Sequence, residues 1–288
     1  MLAQPIETTL AACSPGNLGL TDAAAPRGTN PTRLLTPGFD VHWATGDDDI
    51  REAQQLRYRV FAGEIGARLI VPAGTGPGLD VDRFDQYCDH LLVRARVGRQ
   101  PLGGPVVGTY RVLGPAAAVR AGGLYAESEF DLAPLRSLRA NAVELGRSCV
   151  DPAWRSGGVI MALWSALGQY MLRHRLDTMI GCASIPLTDG GAVAHRLWQR
   201  LRLTHMAAPQ WQVQPYTSLH ADPGHLDTPL APTNRCDLVP PLIKGYLRCG
   251  ARVLGPPALD TVFNTADLPI MLRVDELTPR YRKHFFGC

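Results

Sequence analysis

The stretch NAVELGRSCVDPAWRSGGVI, residues 141–160, opens like a strand and closes like the start of a helix. Glu144, Arg147, Arg155, Gly157 and Gly158 lie around that junction. A carboxylate beside a guanidinium suits proton transfer from an amine or the binding of a zwitterion. Strict strand alternation puts Glu144, Gly146 and Ser148 on one face and Val143, Leu145, Arg147 and Cys149 on the other. Glu144 and Arg147 therefore share a site only if the strand is kinked between them, and Gly146 is where a bulge is best tolerated. A bulge also frees backbone N–H groups, which can stabilise an oxyanion. An ion pair at a strand edge explains the same two residues about as well. The turn through Arg155, Gly157 and Gly158 resembles one that aims backbone N–H groups at a phosphate near a helix N-terminus.

A second concentration of charge is DVDRFDQYCDHLLV, with Asp80, Asp82, Asp85 and Asp89 ahead of an apolar run. Such acids can hold a metal or a substrate amine, and a solvated turn is the simpler reading. VGTYRVL places Arg111 inside an apolar strand, where a guanidinium needs a carboxylate partner, and these aspartates are candidates.

Elements that must position these groups follow from the hydrophobic pattern. VHWAT (41–45) reads as a strand, and GDDDIREAQQLRYRVFAGEIG as a helix with acids in its first turn. HLLVRARV (90–97) and PVVGTYRVL (105–113) read as strands joined by the turn GRQPLGG. A helix is predicted over 158–174, a strand over TMIGCAS (178–184), and helices over GGAVAHRLWQRLR and PLIKGYLRCG. ALDTVFNTA and LPIMLRV read as closing strands. Residues 1–38 lack apolar periodicity and read as a disordered leader, and 207–241 as Pro-rich and irregular. Antiparallel strands followed by a strand–helix–strand unit predict one mixed α/β domain.

Composition excludes several classes. The 288-residue chain has a net charge of +3, too small to argue for nucleic acid. No run approaches a membrane span, and the N-terminus lacks the basic and apolar regions of a secretory signal. Seven cysteines, with no CxxC spacing, read as reduced thiols of a cytoplasmic protein and argue against a zinc site. GTGPG (74–78) follows no strand and opens no helix, so it is not a dinucleotide fingerprint. No P-loop, GxSxG elbow or HExxH is present.

The series LRYRVF, DRFDQYCDHLLV, VVGTYRVL, LYAESEFDL, ELGRSCVDP, GCASIP and FNTADLPIMLRV…RYRKHF resembles bacterial L-ornithine N(alpha)-acyltransferases of the GNAT-like superfamily, from about residue 41 to the C-terminus. The resemblance implies a mixed α+β fold whose central sheet is mostly antiparallel and twisted, with a bulged, splayed central strand flanked by helices. It implies a single domain over 39–288 with a C-terminal extension from about 207. It also implies transfer of a (3-hydroxy)fatty acyl group from acyl carrier protein to the α-amine of L-ornithine, giving lyso-ornithine lipid. No bound cofactor or metal is implied; the phosphopantetheine thioester of the carrier is the donor substrate. Nucleic acid is not a partner, and the lipid product could hold the enzyme loosely at a membrane surface.

A more distant likeness, to acyl-homoserine-lactone synthases, rests on Arg57 and Phe61, on Asp82 and Asp85, on Arg111, and on Glu144 and Arg147. It implies that Arg57, Phe61, Asp82, Asp85 and Arg111 contact substrate. The tryptophan those synthases carry after their first helix has no counterpart in EIGARLIVPAG, which disfavours S-adenosylmethionine as the amine. Within this reading Glu144 is the general base, with Asp82 and Asp85 as alternatives or as anchors for the distal ammonium. Amides around Gly146 to Ser148 meet the oxyanion, and Arg147 or Arg111 holds the carboxylate or pairs with the acids. Val150, Arg155, Gly157, Gly158 and Val159 cradle the pantetheine arm, and Arg155, Arg173 and Arg175 face the carrier protein. Open alternatives are another amine, an acyl-CoA donor, or a membrane-lytic or lipid-binding protein.

Overall fold

Apolar alternation produces the sheet and helical spacing its flanks. The computed structural model describes residues 34–36, 38–96, 103–219 and 239–286, all within one compact unit, Pro31–Cys288. Strands β1 (Leu34–Thr36) and β2 (Phe39–Trp43) form a hairpin. Helix α1 (Asp47–Tyr58) starts on three aspartates that complement its dipole and runs into a wider π-helical turn, Arg59–Glu64. Then come β3 (Asp89–Ala95), β4 (Val106–Leu113), the short helix α2 (Pro115–Arg120), β5 (Phe130–Asp131) and β6 (Ala142–Val150). Helix α3 (Gly158–His174), β7 (Thr178–Pro186), α4 (Ala192–Thr204) and β8 (Gln214–Pro215) follow. The chain closes with α5 (Pro241–Cys249), β9 (Arg252–Val253), β10 (Ala258–Asp260), β11 (Thr265–Arg273) and α6 (Pro279–Phe286).

Nine strands form the main sheet in the order β1-β2-β3-β4-β6-β7-β11-β10, with β9 also on β11, while β5 and β8 pair separately. Every pair in it is antiparallel except β6–β7. This is the mostly antiparallel sheet that the resemblance implies. Leu91, Val93 and Val112 bury one face against Val159, Leu163 and Leu167 of α3. Leu92, Val106 and Cys149 bury the other against Ala53 and Leu56 of α1.

Two irregularities open the sheet. β6 pairs with β7 only from Ala142 to Glu144, and beyond that β7 continues against β11 alone, so the parallel strands part like a fork. Gly181 sits at the crotch, where an added Cβ would stand 2.4 Å from the Leu145 carbonyl oxygen. On the other side of β6 the register slips. Arg111 opposes Gly146 and Thr109 opposes Cys149, so Tyr110 faces both Arg147 and Ser148. The expected kink exists, but its strained residue is Arg147 (φ 50°) and not Gly146, whose φ is negative.

Other differences have local causes. ALDTVFNTA is not one strand: Asp260 Oδ1 accepts the N–H groups of Val262 and Phe263, and Asn264 takes φ 53°, which turns β10 back into β11. Two helices escape the hydrophobic pattern, α2 because it buries no residue and α6 because it is short and mostly basic between the apolar Tyr281 and Phe285. β1 falls in the stretch read as a leader, the rest of which, apart from Gly38, lies outside the described residues. The greater part of the turn GRQPLGG and of the Pro-rich segment lies outside them as well.

Candidate active site

The fork between β6 and β7 holds a cleft of about 230 Å³. Phe61, Arg111, Glu144, Gly146, Arg147 and Ser148 all line it. The bulge brings them together: Glu144 and Gly146 keep the strand's alternation, while left-handed Arg147 turns its side chain to the same side. An L-residue in that conformation stores strain of order 1 kcal/mol or more, so neighbours must over-determine it. Arg147 Nε and Nη2 donate to Asp80 and Asp82 at 3.2 and 3.1 Å, and its guanidinium lies between the Tyr125 and Phe263 rings, 5.0 and 4.7 Å from their centroids.

Behind this wall the sequence-predicted acids and arginines form one network. Arg57 is fully buried and donates to Asp80 at 2.7 Å and to both oxygens of Asp85 at 2.9 Å. Arg111 Nη1 reaches Asp82 at 2.6 Å and Asp85 at 3.0 Å. Arg57, Arg111 and Arg147 thus balance Asp80, Asp82 and Asp85. Despite burial, the guanidiniums hold Asp82 and Asp85 below the usual carboxylate range. Asp89 belongs elsewhere, accepting the Tyr170 hydroxyl at 2.8 Å.

Glu144 is also buried, and its oxygens accept the Tyr125 and Ala126 amides at 2.6 and 2.7 Å. Burial pushes its carboxyl pKa up, against the opposing pull of those amides and of Arg111. Such a group takes a proton more readily than a solvated carboxylate. Past the fork, the β7-facing edge of β6 has no ladder partner among the described residues, which leaves main-chain amides at the cleft. An added Cβ on Gly146 would meet nothing within 4 Å, so this glycine leaves space beside those amides.

Chain connectivity brings the N-terminus of α3 to the open end of the fork, just after Val150, with Gly157 in the left-handed conformation at φ 100°. Val159 is buried under β4 in the core, so of this helix's first turn its backbone, not its side chain, is available. Arg155 pairs with Glu64, at 2.7 Å in one contact, and donates to the Val150 carbonyl at 3.0 Å. Arg173 and Arg175 sit at the other end of α3, roughly 25 Å along a helix of this length. Arg155 does not share one patch with them.

For two parts of the site the sequence named no residues, although an apolar acyl cleft between the diverging central strands was expected. One is an apolar cavity of about 70 Å³ lined by Trp164, Leu167, Met179, Ile270, Leu277 and Phe285. It shares Tyr110, Leu145, Cys182, Ala183 and Tyr246 with the polar cleft. The Tyr110 and Tyr246 hydroxyls are hydrogen-bonded to each other there. The other is a second acidic group. Asp260 and Asp267 line the cleft, and Asp267, Glu129 and Cys182 bring their ligand atoms within 4.8 Å of one another. Burial and the neighbouring acids raise Glu129 to about 8 and Asp267 to about 6. A lone aspartate in apolar TADLPIMLR is the same signal that flagged Arg111; Glu129 carried none.

Residues 56–165 match the family model for the acetyltransferase (GNAT) domain. The chain is 36% identical over 252 residues to the L-ornithine N(alpha)-acyltransferase of Agrobacterium fabrum (strain C58 / ATCC 33970), covering 86% of this chain and 85% of that protein. It is 37% identical over 260 residues to the enzyme of the same name from Brucella abortus (strain 2308), with 86% and 88% covered. Among solved structures, the acyl-homoserine-lactone synthase LasI superposes with a TM-score of 0.48 at 14% identity, over 90% of this chain and 96% of that one. Among the described residues, no helix is long and apolar enough to cross a membrane.

Proposed function

The chain belongs to the L-ornithine N(alpha)-acyltransferase family, and from that premise we propose that it moves a (3-hydroxy)fatty acyl group from acyl carrier protein to the α-amine of L-ornithine, yielding lyso-ornithine lipid. The observation that carries the reading is the fork. One bulged strand lines a polar cleft with an acid of raised pKa, a guanidinium and unpaired amides, and an apolar cavity shares its wall.

In this mechanism ornithine's α-ammonium gives a proton to Glu144, and the neutral amine attacks the thioester carbon. The oxyanion is met by amides around Gly146 to Ser148. That attack forms the C–N bond; collapse restores the carbonyl and breaks the C–S bond, and the departing pantetheine thiolate takes the surplus proton of the attacking nitrogen. Arg147, exposed to the cleft between Tyr125 and Phe263, holds the ornithine carboxylate. Phe61 closes that side of the cleft. Arg57, Arg111, Asp82 and Asp85 act from behind as the frame that keeps Arg147 in place; their mutual pairing favours this role over direct capture of an ammonium. The acyl chain occupies the apolar cavity. The main chain of Val150, Gly157, Gly158 and Val159 receives the pantetheine arm at the open end, with Arg155 beside it toward the acidic carrier. The lipid product is amphiphilic, which supports a loose association with a membrane surface.

The test is a mass-spectrometric screen. Purified protein is given 3-hydroxyacyl-acyl carrier protein or the matching acyl-CoA, each with a panel of amino acids. N-acylornithine formed from the carrier thioester is the expected product. Acylation of a different amine, or turnover from CoA alone, would keep the chemistry and overturn the substrates assigned here.

A further inference from the structure

We propose that Glu129, Asp260 and Asp267 form a subsite for the distal ammonium of a diamino acid, and so select the acceptor amine; this rests on the acyltransferase reading above.

These three acids carry unmatched charge. Among the described residues, no arginine or lysine forms an ion pair with Glu129, Asp260 or Asp267. Asp267 is 4% exposed; among the described residues it accepts the Thr265 hydroxyl at 2.8 Å, and the Ser184 hydroxyl also lowers its pKa. Asp260 spends one oxygen on the Val262 and Phe263 amides. Glu129 Oε2 is sealed from solvent and has no hydrogen-bond partner among the described residues. Buried carboxylates are normally paired, and leaving one without a counter-ion is costly. A cation delivered into the cleft would supply the missing partner.

The position suits a substrate and not a fold-stabilising ion. Asp260 and Asp267 border the same cleft as Glu144, Gly146 and Arg147, from the β10–β11 side of the fork. Ornithine carries its second ammonium three methylenes from the α-carbon. With the carboxylate on Arg147 and the α-amine at Glu144, the side chain extends across the cleft toward β11. A tetrahedral ammonium offers three donors, enough for one bond to each acid. An amino acid with an apolar side chain would leave those acids unpaired, which is where polar subsites discriminate most strongly.

The experiment compares L-ornithine with L-norvaline, which has the same carbon skeleton and no δ-amine. Acylation is measured with carrier-bound donor for the wild type, Asp267→Asn and Glu129→Gln. The wild type is expected to prefer ornithine in kcat/KM by at least roughly a hundred-fold. Either substitution is expected to lower that ratio by about ten-fold or more, and the second serves if the first does not fold. An unchanged ratio in a folded variant overturns the subsite while leaving the acyltransferase reading intact. Absence of any N-acylornithine from the wild type overturns both. Loss of activity on chelation, restored by a divalent cation, would reassign Glu129, Cys182 and Asp267 as metal ligands and also overturn it.

Discussion

Two groups of buried and half-buried acids lie on either side of the bulged strand, and they differ in one respect. Asp80, Asp82 and Asp85 are matched by Arg57, Arg111 and Arg147, and Asp82 and Asp85 titrate below the usual carboxylate range. Asp260, Asp267 and Glu129 have no arginine or lysine partner among the described residues, and Asp267 and Glu129 titrate above that range. Charge completed within the chain builds a frame, whereas charge left incomplete at a cleft awaits a ligand. Arg147 links the two: the frame holds its strained backbone and it faces the incomplete side across the cleft.

The contrast breaks most severely at Arg57. Replacing it with Met leaves Asp80, Asp82 and Asp85 with only Arg111 and Arg147 to balance them and is expected to cost about 3–5 kcal/mol, read as a fall in urea midpoint. Asp267→Asn should leave stability near neutral pH equal or higher, because it removes an unpaired buried acid. Comparable losses from both substitutions would erase the distinction.

Titration sharpens it next. Groups with raised folded pKa stabilise the fold fully below about pH 4 and lose that contribution as pH climbs toward their folded values. Asp267, at about 6, and Glu129, at about 8, therefore make the ligand-free protein less stable between about pH 4 and 8. The groups facing them are Asp260, Glu144, Cys182 and Arg147, and Glu144 adds in the same direction. Asp82 and Asp85 act oppositely: their contribution is present above about pH 4 and disappears as pH falls through their depressed values. Thermal melts across pH should show both limbs. Asp267→Asn should flatten the alkaline-going limb, with ornithine having a smaller stabilising effect on that variant at pH 8.

Gly146 separates cleft from frame. An added side chain there points into open space, so Gly146→Val should fold within about 1 kcal/mol of the wild type and lose most acyl transfer. The smallest effect belongs to Arg155, whose pair with Glu64 is exposed. Arg155→Ala should change stability by less than about 1 kcal/mol and raise KM for the carrier substrate only a few-fold.

Much of this was legible locally. The apolar spacing of Val159, Leu163 and Leu167 predicts α3, and the structure gives it the expected bounds, Gly158–His174. Arg111 in an apolar strand signals a buried carboxylate partner, and Asp82 and Asp85 are those partners. A kink between Glu144 and Arg147 was readable as a condition on their sharing a site. Its residue was not, because a glycine nearby is the cheaper place for strain until the aspartates and rings that hold Arg147 are known. Glu129 and Asp267 lie far apart in sequence and meet only through tertiary folding, so no spacing could join them. The fork is equally non-local: β6 and β7 look like ordinary neighbours until β11 takes over one of them.

The central claim is that Glu144 receives the proton of the acceptor amine. Its direct test is the pH dependence of single-turnover acyl transfer by Glu144→Gln, with preloaded carrier protein and saturating ornithine. The variant should be slower by about a hundred-fold or more near neutral pH. Its rate should then rise about ten-fold per pH unit toward the wild-type value as the free amine accumulates, since solvent then does the work of the missing base. A variant as fast as the wild type, or one uniformly slow at every pH, would contradict the assignment.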